Sequence, residues 1–483
     1  MQDLTFGIIG GLGTLAGADL FLKLVKSRAV MADQGRYHFL FEQHPFRDVT
    51  LPLTRDASMT GRKLYVFKTC QSFETRKVDA VLMPCFASHT FREELQAELS
   101  VRIVNMMDAL ARTLDDALPN GGNSGSKIGV LASDYVRHAR LFEGRFGERF
   151  EIVYPTEAMQ SKLMDAVYGA DGIRAGNTDG LGLEHVHQAC QELAEAGAAV
   201  MVPGMTELSL VAPALQRRGV AIIDVNQAYA DYATSLADGR VDVAFKLGIV
   251  GGVGPAATVD FMGKVVKNTK AAKDQDHIKM VVEQNPQIPD RTANLLHQEA
   301  DPTVALYATC KRLESEGANA IAIPCNTAHA YVERIQSHLS VPIVNMLTET
   351  VRHIVGKYGR GTRVGLLATS GTVESRVYHD AAAGQLELIA PEPAFQAQVM
   401  DAIYGAEGVK AGHTEGRCAE QLRAAIAHLE RRGAQVQILG CTELPLIFAQ
   451  TDAFPVNGVT VALVDPTDVL ARRCVALARP SMG

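Results

Sequence analysis

The sequence contains no C-x-x-C pair and no paired spacing of cysteine and histidine, so the usual pattern of a zinc site is missing. Its eight cysteines are scattered along the chain: Cys70, Cys85, Cys190, Cys310, Cys325, Cys418, Cys441 and Cys474. Cysteines without a recognisable disulfide framework are typical of a reducing compartment. We therefore expect a cytoplasmic protein that holds no metal ion.

Long runs of one charge and long apolar runs are also missing. Charged residues make up 21% of the chain and the formal net charge is -7, which argues against a nucleic-acid partner held by bulk electrostatics. No stretch is apolar over the length that a bilayer requires, so we expect no membrane partner. Any anionic small molecule must therefore be bound by local cations.

Internal repetition is the main feature of what is present. With 483 residues and 47% hydrophobic content, the chain is too long for one ordinary core. The repeated pairs are GIIGGLG from Gly7 with GIVGGVG from Gly248, PCFASHT from Pro84 with PCNTAHA from Pro324, MDAVYGADGIRAG from Met164 with MDAIYGAEGVKAG from Met400, and GMTEL from Gly204 with GCTEL from Gly440. The sequence thus predicts two related domains, residues 1–241 and 242–483, with a seam near residues 237–245.

Each half alternates short apolar runs, such as KIGVLA and NAIAIP, with amphipathic stretches of helical period. This alternation predicts an α/β fold in which crossover helices join parallel strands. We expect two doubly wound lobes per half, with mostly parallel four-stranded sheets and a cleft between them. The lobes are predicted at about 1–110 and 111–225, and at about 242–350 and 351–465, with a C-terminal helix that returns to the first lobe of the second half. Ligands in such sheets bind beyond the carboxyl ends of the strands.

Two cysteines of the second half follow predicted strands. Cys325 comes after AIAIP and Cys441 after VQILG, each just before a predicted helix, whose N-terminus would lower the thiol pKa toward neutrality. A racemase removes an α-proton from one face and returns a proton to the other, so it needs two groups that each serve as acid and base. A single buried cysteine would be an ordinary core residue. Polar neighbours at both strand ends favour a functional site: Asn326, Thr327, Thr442 and Glu443.

Five motifs of the second half together resemble the aspartate/glutamate racemase family, most closely its aspartate racemase branch. They are GGVGPAAT (251–258), PDRT (289–292), PCNTAH (324–329), GVKAG (408–412) and GCTEL (440–444). The resemblance implies a duplicated racemase fold, an acidic amino acid as substrate, no PLP or other cofactor, and a two-base mechanism. Its implied residues are Cys325 and Cys441 for proton transfer, Arg291 and Lys410 for the side-chain carboxylate, Asn326, Thr327 and Thr442 for the α-carboxylate, and Thr258 in the first motif for substrate binding.

Three further residues of the second half have open or minor roles. Asp290 and Glu443 either orient neighbouring residues or cap helices, and capping is the favoured interpretation for each. His329 lies about one helical turn after Cys325, where it either tunes the cysteine or packs as a hydrogen-bonded histidine.

The first half keeps the scaffold and loses much of the site. Cys85 and His89 remain, but Phe86 and Ala87 replace Asn326 and Thr327, Thr50 stands opposite Arg291, and Arg174 stands for Lys410. Met205 occupies the place of Cys441, and a thioether has no exchangeable proton. We therefore predict one working site per chain. The degenerate half is expected to form an intrachain pseudo-dimer with the working half, and further homo-oligomerisation stays open. The alternatives for this half are a regulatory ligand site and residual single-cysteine chemistry at Cys85.

Three alternatives remain at the level of sequence. The first is a glutamate or broad-specificity racemase, and the second is a ligand-binding or regulatory protein built on a decayed racemase fold. The third is a dinucleotide site, because GGVGPA fits G-x-G-x-x-A and Glu283 ends the next predicted strand. That pattern explains neither Pro255 nor the two cysteine motifs.

Overall fold

A computed structural model of the chain describes residues 3–44, 51–118, 126–236 and 244–479. The chain divides into two compact units, Met1–Val243 and Ala244–Gly483. The predicted seam falls largely on residues 237–243, outside the described ranges. Within the described ranges, no helix has the length and apolar character needed to cross a membrane.

The N-terminal unit consists of two α/β lobes. The first contains β1 (Leu4–Ile9), β2 (Tyr37–Glu42), β3 (Ala80–Leu82), β4 (Arg102–Ile103), α1 (Thr14–Lys26), α2 (Arg28–Ala32), α3 (Thr60–Thr75), α4 (Phe86–His89), α5 (Arg92–Gln96) and α6 (Met106–Ala117). The second contains β5 (Lys127–Ala132), β6 (Glu151–Val153), β7 (Ala198–Gly204), α7 (Asp134–His138), α8 (Leu141–Phe146), α9 (Glu157–Tyr168), α10 (Gly180–Glu195), α11 (Ala212–Arg217) and α12 (Val225–Ser235). The sheet orders are β2-β1-β3-β4 and β6-β5-β7, all parallel.

The C-terminal unit repeats this plan. Its first lobe contains β8 (Lys246–Gly251), β9 (Lys279–Gln284), β10 (Ala320–Ala322), β11 (Ile343–Val344), α13 (Pro255–Asn268), α14 (Arg291–His297), α15 (Thr303–Ser315), α16 (Val332–Gln336) and α17 (Met346–Tyr358). Its second lobe contains β12 (Arg363–Leu367), β13 (Glu387–Ile389), β14 (Val436–Leu439), β15 (Thr451–Val456), β16 (Val459–Val464), α18 (Ser370–Glu374), α19 (Val377–Ala382), α20 (Pro393–Tyr404), α21 (Arg417–Arg431) and α22 (Pro466–Ala478). The sheet orders are β11-β10-β8-β9 and β13-β12-β14-β16-β15.

The apolar pattern of the sequence explains these elements. Central strands are covered by helices on both faces, so Ile249 and Ile321 are fully buried. Helix α21 buries the stripe Leu422, Ala425, Ile426 and Leu429, the spacing of one helical face. Helix α22 returns to pack on α13 and α17 of the first lobe, and α12 does the same on α1 and α6. The predicted α/β fold with mostly parallel sheets is confirmed.

The second lobe has three strands in the N-terminal unit and five in the C-terminal unit, instead of the expected four. The five-stranded sheet gains its edge from an antiparallel hairpin, β15–β16, whose two-residue turn is Asn457-Gly458. Both turn residues have positive φ, 52° and 82°, which suits the primed turns of tight hairpins. Among the described residues of the N-terminal unit, the corresponding position holds an isolated bridge between Met201 and Ile222.

The sheet orders determine where a ligand can bind. In the C-terminal unit the winding reverses between β8 and β10 in the first lobe, and between β12 and β14 in the second. Crevices form beyond the carboxyl ends of strands at such points. Cys325 follows β10 and Cys441 follows β14. Each cysteine therefore lies at the switch point of its own lobe.

Candidate active site

Both cysteines of the C-terminal unit line one small cavity. Cys325 is 6% exposed and Cys441 is 7% exposed. Every predicted site residue of this unit except Thr258 lines the same cavity: Cys325, Cys441, Arg291, Asn326, Thr327, Lys410 and Thr442. The cavity measures about 20 Å³, room for roughly one water molecule. An amino acid can enter only if side chains or lobes move apart.

Cys441 lies beside a carboxylate. Its thiol donates a hydrogen bond to Oε2 of Glu443 at 3.0 Å, and Nζ of Lys410 donates to Oε1 of the same carboxylate at 2.7 Å. Burial, and then the charge of Glu443, raise the pKa of Cys441 well above its ordinary value, although Lys410 opposes this shift. Glu443 thus contacts the Cys441 thiol and its side chain makes no capping hydrogen bond, so the favoured interpretation as a cap is wrong and the contact with a neighbouring side chain is the role that the structure shows.

The expected helix N-termini behind the two cysteines are short turns in the structure. Cys441 is followed by a 3-10 turn at Leu444–Leu446, and Cys325 by a 3-10 turn at Thr327–Tyr331. A single turn carries little of the dipole that a full helix presents. The predicted lowering of the Cys441 pKa is therefore wrong, because burial and the Glu443 charge act in the opposite direction.

Cys325 lies beside a cation. Burial alone would lower the pKa of Arg291, but the neighbouring Cys325 and Asp290 raise it above its ordinary value. The Arg291 side chain is 8% exposed, and its Nη1 donates to the backbone oxygens of Ile288 and Pro289. Its buried Nε has no hydrogen-bond partner among the described residues. The two thiols therefore lie next to charges of opposite sign.

His329 supports the backbone of the Cys325 loop. Its Nδ1 lies 2.9 Å from the carbonyl oxygen of Cys325, and its Nε2 accepts from the backbone amide of Met346 at 3.1 Å. Burial lowers the pKa of His329 to about 4, so the ring is neutral and Nδ1 is the donor. Of the two expected roles, the structure shows the packing histidine. Asp290 accepts from the Ala293 amide at 2.8 Å, which confirms the predicted cap of α14.

A polar wall closes the side of the cavity near Asn326. The hydroxyl of Tyr378 donates to Oδ1 of Asn326 at 2.6 Å, which fixes the amide, while the buried Nδ2 has no partner among the described residues. Beside it, Thr327 lies 2.7 Å from Thr372, oxygen to oxygen. Thr292 and Thr369 complete this hydroxyl cluster. Because an unpartnered buried donor is costly, Asn326 Nδ2 marks a place for an acceptor atom of a ligand.

Thr258 is the one predicted substrate-binding residue that does not line the cavity. Its hydroxyl donates to the carbonyl oxygen of Gly254 at 3.1 Å and accepts from the amide of Gly252 at 3.3 Å. It lies in the first turn of α13, where it folds back over the glycine loop and fixes that loop's shape. Its role in substrate binding stays a prediction.

The glycine loop accommodates Glu443. Gly254 has a φ of 113°, and a Cβ atom there would collide with Oε1 of Glu443. A carboxylate next to this loop would repel a pyrophosphate, which is what the dinucleotide hypothesis requires there. Glu283, the other part of that pattern, pairs with Arg312 at 2.7 Å. The geometry disfavours the dinucleotide hypothesis.

Sequence reasoning missed several lining residues, among them Thr292, Thr369 and Tyr404. The ring of Tyr404 lies 5.4 Å from Nζ of Lys410, and its hydroxyl donates to Oδ2 of Asp290 at 3.3 Å. The sequence does contain features that point to these residues. Thr292 belongs to the PDRT motif, Thr369 follows the end of β12, and Tyr404 lies inside a repeated segment.

The N-terminal unit has a related cavity with a different lining. Cys85, Arg174 and Met205 line it together, and Nη1 of Arg174 pairs with Oε1 of Glu207 at 2.5 Å. Thr50, the expected counterpart of Arg291, lies outside the described residues. Instead, Arg62 of α3 donates from Nη1 to Sγ of Cys85 at 3.4 Å. Sequence pairing missed Arg62 because it comes from a different element than Arg291 does.

The chain is similar to known racemases over part of its length. It is 34% identical to the broad specificity amino-acid racemase RacX of Bacillus subtilis (strain 168) over 138 residues, 27% of this chain and 58% of that protein. It is 33% identical to a glutamate racemase of Mycobacterium leprae (strain TN) over 147 residues, 29% of this chain and 49% of that protein. The matched segments thus span only about half the length of these relatives.

A solved structure and a family model extend the comparison. A Picrophilus torridus aspartate racemase is 30% identical, with a TM-score of 0.42, over 48% of this chain and 94% of that one. The model of the Asp/Glu/hydantoin racemase family matches residues 9–233 and again residues 250–474. The chain therefore belongs to the Asp/Glu/hydantoin racemase family and carries two copies of it in tandem.

Proposed function

We propose that the C-terminal unit is a cofactor-independent amino-acid racemase that interconverts L- and D-aspartate, with Cys325 and Cys441 as its two proton-transfer groups. One observation supports this most: two thiols from different lobes line one buried cavity, one beside a guanidinium and the other beside a carboxylate. Two-base racemisation needs one protonated and one deprotonated group at the start of each turnover. The opposite charges supply that difference.

The resting proton belongs on Cys441. An anionic sulfur is stabilised beside Arg291 and disfavoured beside Glu443. Cys325 then takes the α-proton from one face of the substrate, and Cys441 delivers its proton to the other face. One proton leaves the α-carbon and one arrives, so no cofactor is consumed. In the reverse direction the two sulfurs exchange roles.

Asn326 is suited to hold the α-carboxylate. Its oxygen is already bound by Tyr378, so its free Nδ2 donor is oriented before the substrate arrives. When the α-proton leaves, negative charge spreads into the α-carboxylate, and a fixed donor stabilises that charge. Thr327 and Thr442 line the same cavity and complete the proposed carboxylate site.

The charges of the site match an acidic amino acid. The charged side chains that line the cavity are two cations, Arg291 and Lys410, and one anion, Glu443, which suits a substrate with two carboxylates and one ammonium group. Lys410 is already bound to Glu443 but keeps two further donors for the side-chain carboxylate. The sequence motifs resemble the aspartate racemase branch, and in a site fitted to aspartate one extra methylene typically costs about 10–200-fold in kcat/KM.

The test is racemisation by the full chain, purified without PLP and followed by chiral chromatography. We expect turnover of both aspartate enantiomers, with kcat/KM for glutamate lower by about 10–200-fold. Cys325→Ala and Cys441→Ala should each lower interconversion by about 10²–10⁴-fold or more. Cys85→Ala should leave it intact, because Cys85 belongs to the other unit.

Two results would change the proposal in different ways. Faster turnover of glutamate would refute the aspartate assignment and leave a racemase. No turnover of any acidic amino acid would refute the racemase, in favour of the ligand-binding protein that the degenerate first half suggests.

A further inference from the structure

Helix α1 of the N-terminal unit has an exposed apolar face. The opposite side of the helix packs into the lobe and buries Leu20 and Leu24. Spacings of three and four residues put five exposed apolar side chains on the outward side. These five residues form the α1 face, and the four larger ones are 36% to 51% exposed: Leu15, Ala18, Phe21, Leu22 and Val25. Packing of the lobe does not account for this face.

The corresponding helix of the C-terminal unit, α13, has smaller side chains at several of these places. Both helices follow the repeated glycine motif, so their positions can be paired along the sequence. The pairs in which α1 has the bulkier apolar residue are Leu15 with Ala256, Phe21 with Met262, and Leu22 with Gly263. The larger apolar face therefore belongs to the N-terminal unit and is not a general requirement of the fold.

Aromatic side chains extend the α1 face onto the edge strand β2. The ring centroid of Phe21 lies 5.9 Å from that of Phe39 and 5.8 Å from that of Phe41, and both of these rings are partly exposed. Strand β9 of the C-terminal unit has Glu283 at the place of Phe41, and Glu283 pairs with Arg312. The N-terminal unit is thus apolar where the C-terminal unit is charged, directly beside the helix face that differs in the same direction.

The size of this surface is that of an interface. The α1 face exposes on the order of 300 Å² of apolar surface, and contiguous apolar patches of a few hundred Å² mark interaction sites. A standard protein–protein interface buries about 800 Å² per partner, of which a little over half is apolar. Together with Phe39 and Phe41, the α1 face supplies most of that apolar share.

The shape of the α1 face fits a second copy of itself. Ala18 is small and lies between Leu15 and Leu22, which leaves a hollow between the two leucines. When two α1 helices lie antiparallel around a twofold axis, Leu22 of each copy meets Ala18 of the other, and Leu15 meets Val25. Asp19, at the border of the face, already pairs with Lys23, so its charge is compensated when the face is covered.

We propose that two copies of the chain associate through the α1 face of the N-terminal unit, with the two helices antiparallel around a twofold axis. Each Leu22 fills the hollow at Ala18 of the other copy, and the aromatic side chains of β2 border the contact. The degenerate unit thereby has a function in assembly, which is independent of the activity proposed for the C-terminal unit.

The first test is sedimentation velocity of the full chain at about 1–100 µM, where we expect a dimer. Leu22→Lys should raise the dissociation constant of the dimer at least tenfold, because it places an unpaired charge at the centre of the contact. Val259→Lys is the matched control, since Val259 is 68% exposed on the outward side of α13, and it should leave the constant unchanged. A monomer at all concentrations, an unchanged constant in Leu22→Lys, or equal weakening by both variants would overturn the proposal.

The second test is chemical cross-linking, which does not depend on a charged variant. The eight native cysteines are all buried, so an introduced cysteine on an exposed face is the preferred target of a maleimide. Leu22→Cys treated with a bismaleimide of about 10 Å reach should give a covalent dimer on a denaturing gel, because the two copies of residue 22 lie about one helical turn apart along the antiparallel pair. Val259→Cys should give none. Covalent dimers from both variants, or from neither, would contradict the assignment of this interface.

Discussion

Cys325 and Cys441 are the same residue type in opposite electrostatic surroundings. Arg291 lies beside the first thiol, and Glu443 accepts a hydrogen bond from the second. Lys410 binds the far oxygen of Glu443 and thereby fixes the carboxylate against the thiol. In the proposed mechanism, Glu443 is a positioning residue that keeps the proton on Cys441 between turnovers.

Glu443→Gln should lower the pKa of Cys441. Burial still raises this pKa in the variant, but the substitution removes the charge that raises it further and keeps the lowering effect of Lys410. The rate of Cys441 alkylation by iodoacetamide, followed from pH 6 to pH 10, should therefore rise at lower pH than in the unmodified protein. Glu407→Gln, on the exposed loop before Lys410, is the control and should leave the profile unchanged. A Cys441 profile that stays in place or moves to higher pH in Glu443→Gln would show that Glu443 does not set this pKa.

At the scale of elements, the turn between β8 and α13 positions the second lobe's carboxylate. Gly254 adopts a conformation that residues with a Cβ rarely take, and its missing side chain leaves the space that Glu443 occupies. Thr258 holds this turn from inside the helix. The glycine-rich motif therefore makes room for the carboxylate that contacts the Cys441 thiol.

Gly254→Ala should be destabilising and should also impair activity. The backbone conformation alone should cost about 1–3 kcal/mol of unfolding free energy, and the displaced Glu443 should slow racemisation at least tenfold. Gly263→Ala, in helix α13 after the turn, is the matched control, because Gly263 is exposed and a Cβ there meets nothing within 4 Å. It should stabilise by about 0.4–1 kcal/mol in urea unfolding and leave activity unchanged. Equal behaviour of the two variants would contradict this role of the turn.

The site residues that can be predicted from the sequence are those that directly follow a strand. Cys325 and Cys441 end apolar runs, so their place at the carboxyl edge of a sheet is determined locally. The contact between Glu443 and Lys410 joins residues 33 positions apart, and only the folded lobe brings them together. Arg62 was not predictable by pairing the halves, because a different element supplies the cation beside Cys85. The Asn457-Gly458 turn between β15 and β16 is recognisable in the sequence. The pairing of β16 with β14 is not, because the turn residues do not determine which strand β16 joins.

At the scale of the whole molecule, duplication has given one chain two related cavities with different chemistry. The C-terminal cavity has two thiols and a polar wall, whereas the N-terminal cavity has one thiol and an apolar wall. Loss of the second thiol is therefore only one of several changes. Without counterparts of Asn326 and Thr327, the N-terminal cavity has fewer donors to orient an amino acid for proton transfer.

Restoring the missing thiol alone should not restore a second racemase. In a Cys441→Ala background, Met205→Cys should leave aspartate racemisation at the level of Cys441→Ala alone, measured by chiral chromatography. Phe86 and Ala87 would still face the substrate in place of Asn326 and Thr327. Racemisation that returns to within tenfold of the unmodified protein would show that Met205 is the only difference that matters.

The most direct test of the two-thiol mechanism is the stereochemistry of α-proton exchange in deuterated water, followed by NMR on each pure aspartate enantiomer. Each single variant keeps one thiol on one face. Cys325→Ala and Cys441→Ala should therefore exchange the α-proton of opposite enantiomers, each without inversion, while the unmodified chain exchanges and inverts both. Exchange of the same enantiomer by both variants, or full racemisation by either one, would contradict the placement of the two sulfurs on opposite faces of the α-carbon.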